Sequence, residues 1–533
     1  MKEPRVKISL SPRYVKECDG GLRPFQKKLL EETIDGKSRI VLLDAPVGSG
    51  KTHVVRLLLE QREFERRPII FTYPTKILME AQVSSLYKEV GKDKVKVWPF
   101  EDMRKNSINL FLYSTDSLLH AIRRERIIHI SNRSELLNKL FSDLGWYSKQ
   151  GGVITSPDVL YLLKEGKYKK SKEILNNIQN SLFIFDEFHC YHGLSTFPTL
   201  LEFLLSTIAE KIVLLSATPV ESEALKEIEQ RYGINKINFL NSLGNHQDTC
   251  FNYPVKVDIQ SFKYSNLDET ERQLFDLLPH LPRPCAIIFD SIFRLRHIER
   301  RLRFNKLKGL KIKEWSGMIK DSSLASDLDD ETIVLGTSAI EVGIDMKFKS
   351  IIFEATYWPS AIQRLGRVGR KERGEAIMFT RKDFSPFLDD KCDWDRTDFE
   401  QKILKETLNN PREEVGDGFG FRGESFNFIL IDEELQQHFF YNENLFAMYD
   451  IDDYYIDDWR CLDTNQKKKV LYEFKIPERN IEEIILRDRI IPFWGLLKGK
   501  IRREYRYIDY ADIVPPKKER NELSILGYIF YGK

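Results

Sequence analysis

Three stretches of this 533-residue chain combine residue types suited to phosphate chemistry. In the first, Ala45-Pro46-Val47-Gly48-Ser49-Gly50-Lys51-Thr52, glycines let backbone N–H groups point at one anion, and a helix beginning there adds partial positive charge. Lys51 is placed to reach β and γ phosphates and Thr52 to reach Mg²⁺, with Ala45 where the first glycine of such loops usually stands. The second, Ile184-Phe185-Asp186-Glu187-Phe188-His189, ends an apolar run in two carboxylates and a histidine. Asp186 suits a Mg²⁺-holding role and Glu187 one that orients or deprotonates a water, although an acidic tip alone could simply open a loop. The third is Gln363-Arg364-Leu365-Gly366-Arg367-Val368-Gly369-Arg370. Arg367 and Arg370 are three apart and are expected on one helical face, where they could grip a phosphate and stabilise charge developing on it.

Such residues need elements to hold them. Ile40-Val41-Leu42-Leu43 leads into the glycine loop, and a helical Val54-Val55-Arg56-Leu57-Leu58-Leu59 follows it. Apolar runs recur at 68–73, 110–113, 152–155, 182–185 and 211–216, separated by helical stretches. Runs without a polar face read as strands buried on both sides, so an α/β fold with a doubly wound parallel sheet is expected. The acidic tip would then lie at the carboxyl edge of the sheet, where such folds bind ligands. A second α/β series occupies 285–289, 332–336, 351–355 and 376–379, after a linker at Gly244-Asn245-His246-Gln247-Asp248. Two α/β halves joined in this way would form a cleft for a nucleotide. The expected domains are 1–235, 236–385 and a C-terminal accessory domain at 386–533, with a charged insert at about 116–150.

Composition narrows the classes. Lys+Arg 83 against Asp+Glu 81 leaves a net charge of +2, so any polyanion site must be local. Six scattered cysteines with no C-x-x-C pair read as reduced thiols. With no apolar leader after Met1 and no 18-residue apolar run, a cytoplasmic protein without a membrane partner is expected. Residues 294–313 carry nine Lys/Arg against Glu299 alone and read as a solvated helix or as the edge of a polyanion path. Asp450, Asp452, Asp453, Asp457 and Asp458, beside Tyr454, Tyr455 and Trp459, read as a solvated or docking face.

The ordered motifs resemble those of superfamily 2 DExH-type helicases over roughly residues 20–380. That resemblance implies two tandem RecA-like domains, with ATP and Mg²⁺ as cofactors. It implies that Arg23 and Gln26 read adenine, and that Asp345, in Thr337-Ser338-Ala339-Ile340-Glu341-Val342-Gly343-Ile344-Asp345, touches the ribose. Gln363, Arg367 and Arg370 would act on the phosphates. Thr75, Thr155, Ser156 and Thr337 would hold a sugar-phosphate backbone without reading bases, though any of them could instead serve a turn or helix cap. His189, Ser216 and Thr218 would couple nucleotide state to strand grip.

Within this superfamily the chain looks most like the CRISPR-associated helicase of type I interference systems. That family commonly fuses a metal-dependent HD nuclease, yet none of the nine histidines here is followed by Asp, and the first helicase motif begins near residue 22. The likeness therefore falls on stand-alone forms, such as types I-D or I-A, with the nuclease supplied in trans and a guide-RNA surveillance complex as partner. Three functions remain open: a motor on single-stranded DNA that unwinds duplex, an RNA helicase or ribonucleoprotein remodeller, and an ATP-gated binding subunit that does not unwind.

Overall fold

Runs with no polar face do become strands buried on both sides. In this computed structural model every residue of Ser181–Asp186 is buried, as are the first four of Ile40–Asp44. The structure describes residues 5–408 apart from 19–20, 61–68, 75, 92, 99–107, 113–150, 165, 167–169, 191–195, 219–222, 262–266, 290–294, 296–297, 300, 303–310, 316–327, 338–339, 341–345, 356–357, 381 and 389–391. The charged insert, the aspartate cluster at 450–458, Thr75 and Asp345 lie outside the described residues.

The strands, in chain order, are β1 (Arg5–Leu10), β2 (Arg13–Val15), β3 (Ile40–Asp44), β4 (Ile69–Thr72), β5 (Val95–Trp98), β6 (Ile108–Leu112), β7 (Gly151–Thr155), β8 (Ser181–Asp186) and β9 (Ala209–Ser216). They continue with β10 (Ile234–Asn238), β11 (Thr249–Asn252), β12 (Val255–Ser261), β13 (Cys285–Ile288), β14 (Lys311–Trp315), β15 (Thr332–Gly336), β16 (Ser350–Glu354), β17 (Gly374–Thr380) and β18 (Asp393–Trp394).

One compact unit contains Arg13–Phe251. Its sheet runs β10-β3-β9-β8-β4-β7-β6-β5, parallel throughout. The registers align the carboxyl ends that matter: Asp44 lies opposite Ser216, Asp186 opposite Leu215, and Thr72 opposite both Phe185 and Thr155. Four motifs far apart in sequence therefore end in one row. Beneath the acidic tip, Phe185 meets Phe197 edge to face at 5.5 Å, and Phe188 stacks on Phe197 at 6.4 Å. Fully burying side chains of this size contributes about 1.5–3 kcal/mol each, which anchors the tip from below.

The second unit, from Asn252 onward, holds the sheet β14-β15-β13-β16-β17-β12-β1-β18. Its strands from β12 to β14 pair parallel; β1 enters antiparallel to β12, from Arg5 opposite Gln260 to Leu10 opposite Val255.

The boundaries differ from the expected 1–235, 236–385 and 386–533 in three places. The N-terminal strand belongs to the second sheet, because Ile8 and Leu10 bury their side chains there. Residues 236–251 stay with the first unit, where Phe239 packs edge-on against Phe25 at 5.3 Å and Phe251 at 5.1 Å. Among the described residues the second unit continues past 386, since β18 pairs with β1 and a helical run at 396–407 buries Phe399 and Leu404 completely; the rest of the expected accessory domain, 409–533, lies outside the described residues. The basic stretch at 294–313 is not one solvated helix. Leu295, Ile298 and Leu302 are core residues, and Lys311 and Lys313 lie on the edge strand β14. Among the described residues no helix is long and apolar enough to cross a membrane.

Candidate active site

The loop after β3 turns through left-handed glycines, with φ of +78° at Gly48 and +88° at Gly50. A side chain at Gly50 would also come within 2.9 Å of Gln26 Nε2. The helix Lys51–Glu60 then packs Val54, Val55, Leu58 and Leu59 into the core, a spacing that fixes one apolar face and so the direction in which the loop opens. Lys51 is 7% exposed, and its Nζ donates to the carbonyls of Ala45 at 2.9 Å and Pro46 at 3.4 Å. Gln26 Nε2 donates to the Gly50 carbonyl at 2.9 Å, and Arg23 donates to the Ser49 carbonyl. These two residues therefore reach the loop backbone itself, with the Arg23 guanidinium 5.7 Å from the Phe251 ring centre and its pKa lowered mainly by burial.

At the tip of β8, Asp186 is buried, and burial followed by the charge of Glu187 raises its carboxyl to about 7 against the pull of Lys51. Asp186 Oδ1 accepts the Glu187 N–H at 3.0 Å. Glu187 itself has φ +51°, a left-handed conformation that costs a non-glycine residue about 1–3 kcal/mol and that collects at functional sites. The turn brings Glu187 Oε2 within 3.3 Å of His189 Nδ1, which also lies 3.0 Å from Ser216 Oγ. The Thr218 N–H donates to that same Ser216 hydroxyl at 3.0 Å, while the Ser216 carbonyl accepts the Ala45 N–H at 3.0 Å. His189, Ser216 and Thr218 thus join the acidic tip to the start of the phosphate loop.

The residues present fit a Mg²⁺-bound nucleoside triphosphate. Gly48 faces open space at the loop, the Ser49 hydroxyl is buried without a hydrogen-bond partner, and a cation and two carboxylates converge on one sheet edge. Thr52 is the second residue of the helix Lys51–Glu60.

Strand-gripping candidates are less uniform. Thr155 is fully buried, its hydroxyl without a hydrogen-bond partner and its carbonyl accepting the Tyr73 N–H at 3.0 Å. Ser156, half-buried, stands at the mouth of the helix Pro157–Lys164. In the second unit Thr337 is buried, with its carbonyl bonded to the Ile340 N–H at 2.9 Å. Sequence reasoning passed over Tyr73. It is buried beside Asp186, and burial first and that carboxyl second push its hydroxyl pKa well above 10.

In the second unit Gln363 is buried within the helix Trp358–Leu365. The helix stops at Leu365, so Arg367 and Arg370 do not share a helical face as their spacing suggested. They lie on the turn that follows, because Gly369 takes φ +69° and its carbonyl accepts the Tyr253 N–H at 2.7 Å. A side chain at Gly369 would meet Val255 Cγ2 at 2.5 Å. Arg364, fully buried, donates to the Glu354 carbonyl at 2.5 Å, and Arg370 Nε donates to the Gly366 carbonyl at 2.9 Å. Arg396 and Glu400, which no sequence pattern singled out, form a buried pair at 3.0 Å under this turn.

Residues 23–226 match the family model for DEAD/DEAH box helicases, and residues 276–373 match the model for the C-terminal region of the CRISPR-associated nuclease/helicase Cas3. A protein of Methanocaldococcus jannaschii named as a CRISPR-associated nuclease/helicase Cas3 is 22% identical over 408 residues, covering 72% of this chain and 51% of that protein. The CRISPR-associated helicase Cas3 of Thermoproteus tenax is 28% identical over 115 residues, 20% of each chain. This chain spans about half the length of the M. jannaschii relative. Among solved structures, the DUF1998 helicase MrfA bound to DNA and AMPPNP shares the fold, with TM-score 0.50 and 18% identity over 76% of this chain and 55% of that one.

Proposed function

We propose that this chain, whose residues 23–226 match the DEAD/DEAH box helicase model and whose residues 276–373 match the Cas3 C-terminal model, is an ATP-driven motor on single-stranded DNA that unwinds duplex in CRISPR interference. The observation that carries this reading is the row at the carboxyl edge of the first sheet. There a phosphate loop, a buried Asp186, a left-handed Glu187 and the His189–Ser216 contact converge.

In the proposed reaction, loop N–H groups and Lys51 hold the β and γ phosphates, Lys51 exchanging its carbonyl partners for them. Thr52 and Asp186 would hold Mg²⁺, which neutralises charge on the phosphates. Glu187 orients the attacking water and takes its proton. Arg367 and Arg370, set by Gln363 and the turn, stabilise charge developing on the transferred group. Asp345 is assigned to the ribose, and Arg23 and Gln26 to the adenine end of the loop. Thr75, Thr155, Ser156 and Thr337 are assigned to the strand, by backbone groups where the hydroxyl is buried. Alternate binding and release of the nucleotide would then step the two domains along the strand.

The relatives' names support a CRISPR role, in which a guide-RNA complex delivers the target. No histidine in residues 1–533 is followed by Asp, so cleavage coupled to this motor is assigned to an HD nuclease outside these residues. ATPase rates without nucleic acid, with single-stranded DNA and with single-stranded RNA test the proposal, together with strand displacement. Stimulation by DNA with displacement is expected. Stimulation by RNA alone makes the chain an RNA remodeller, and stimulation without displacement makes it an ATP-gated binding subunit.

A further inference from the structure

We infer that Arg396, neutralised by Glu400, is a positioning residue for the turn that carries Arg367 and Arg370, an inference that rests on the proposed role of those arginines. Arg396 is 1% exposed and Glu400 4%, so neither charge is solvated. Arg396 Nε donates to Glu400 Oε1 at 3.0 Å, and its Nη2 donates to the Leu365 carbonyl at 3.0 Å. Leu365 is the last residue of its helix, and its carbonyl also accepts a long bond, 3.4 Å, from the Val368 N–H. The guanidinium also lies against the far side of the turn, where a side chain at Gly369 would come within 3.4 Å of Arg396 Nη1. One fork thus spans both ends of the segment that presents Arg367.

Burying an arginine under two others would by itself push them away. Glu400 removes that repulsion while keeping the donors. It sits in a π-helical turn, Phe399–Ile403, a local widening that is rare in helices and concentrates at functional positions. Lys405, farther along the same helical run, lies 4.9 Å over the Trp358 ring at the other end of the arginine-bearing helix, which fixes the two helices in register.

The test uses the full chain. Arg396→Met alone leaves Glu400 buried without its arginine and is expected to fold poorly, so the informative variant is Arg396→Met with Glu400→Leu, which refills the site with apolar volume. Expected results are a melting temperature near that of the wild type, an unchanged KM for ATP, and a kcat lower by about 10- to 100-fold, the scale of a misplaced catalytic group. Arg367→Ala should then cost far less in the double-variant background than in the wild type, because the arginine it removes is already misplaced. Wild-type kcat in the double variant, or independent and additive losses, would overturn the inference. If Arg367→Ala is silent in the wild type, the role assigned to Arg367 fails instead, and the two failures are distinguishable.

Discussion

Glu187 and His189 approach to 3.3 Å because the backbone between β8 and the following turn passes through the left-handed region at Glu187. An extended or right-handed residue there would aim the carboxylate elsewhere. The same turn places His189 Nδ1 3.0 Å from the Ser216 hydroxyl, so the residue assigned to the water and the segment assigned to coupling share one histidine.

Glycine tolerates that conformation and alanine does not, which separates stability from activity at this position. Glu187→Gly should melt above Glu187→Ala by about 2–4 °C, the scale of ~1 kcal/mol in a domain of this size. Both should be inactive. An alanine variant at least as stable as the glycine one would show that the turn stores no strain.

Removing charge while keeping shape isolates the chemistry. Glu187→Gln should bind ATP normally and hydrolyse it at least ~100-fold more slowly, the scale of a lost positioned base. Lys51→Ala should lower turnover by at least ~100-fold as well, by loss of a preorganised cation. Appreciable ATPase in either purified variant would remove that residue from its role.

Coupling should be separable from hydrolysis. Ser216→Ala deletes the hydroxyl that meets both His189 and the Thr218 N–H. Basal ATPase is expected to survive while stimulation by nucleic acid disappears. Equal loss of both rates would instead make Ser216 part of the catalytic apparatus.

Asp186 sets a pH dependence. Burial and Glu187 raise its folded pKa to about 7 from 3.8, so across that window the folded chain holds a proton that the unfolded chain has released. Its contribution therefore makes stability fall as pH rises between those values. Melting temperatures without nucleotide, taken from about pH 4.5 to 7.5, should fall more steeply in the wild type than in Asp186→Asn. Parallel curves would mean that the carboxyl is not perturbed.

The parts of this molecule legible in the sequence are those where chemistry and burial coincide. Ser181–Asp186 is wholly buried and ends at the carboxylates proposed for catalysis, so one short run announces both a central strand and a candidate site. Edge strands gave no such signal. β10 and β14 leave most of their side chains partly or fully exposed, and β14 carries lysines that mimic a surface helix. Arg367 and Arg370 stand out by type, but their placement does not, because the helix ends at Leu365, ahead of both, and spacing alone does not reveal that. Arg396 and Glu400 were invisible for a similar reason: an i,i+4 ion pair looks like any solvated helix face until packing covers it.

Because β1 completes the second sheet before the chain enters the first, the polypeptide passes between the two units at Pro12–Arg13 and again at Phe251–Asn252. A protease nick at Phe251–Asn252 would leave the first unit joined to the second sheet only through β1, held there by strand pairing with β12 and by no covalent link. A protein grafted ahead of Arg5 would ride as cargo on the second domain, although the chain from Arg13 to Phe251 belongs to the first. A dissected second half beginning at Asn252 would lack its antiparallel strand and expose β12 as a bare edge; restoring residues 5–10, even as a separate peptide, would supply the missing hydrogen-bonding partner.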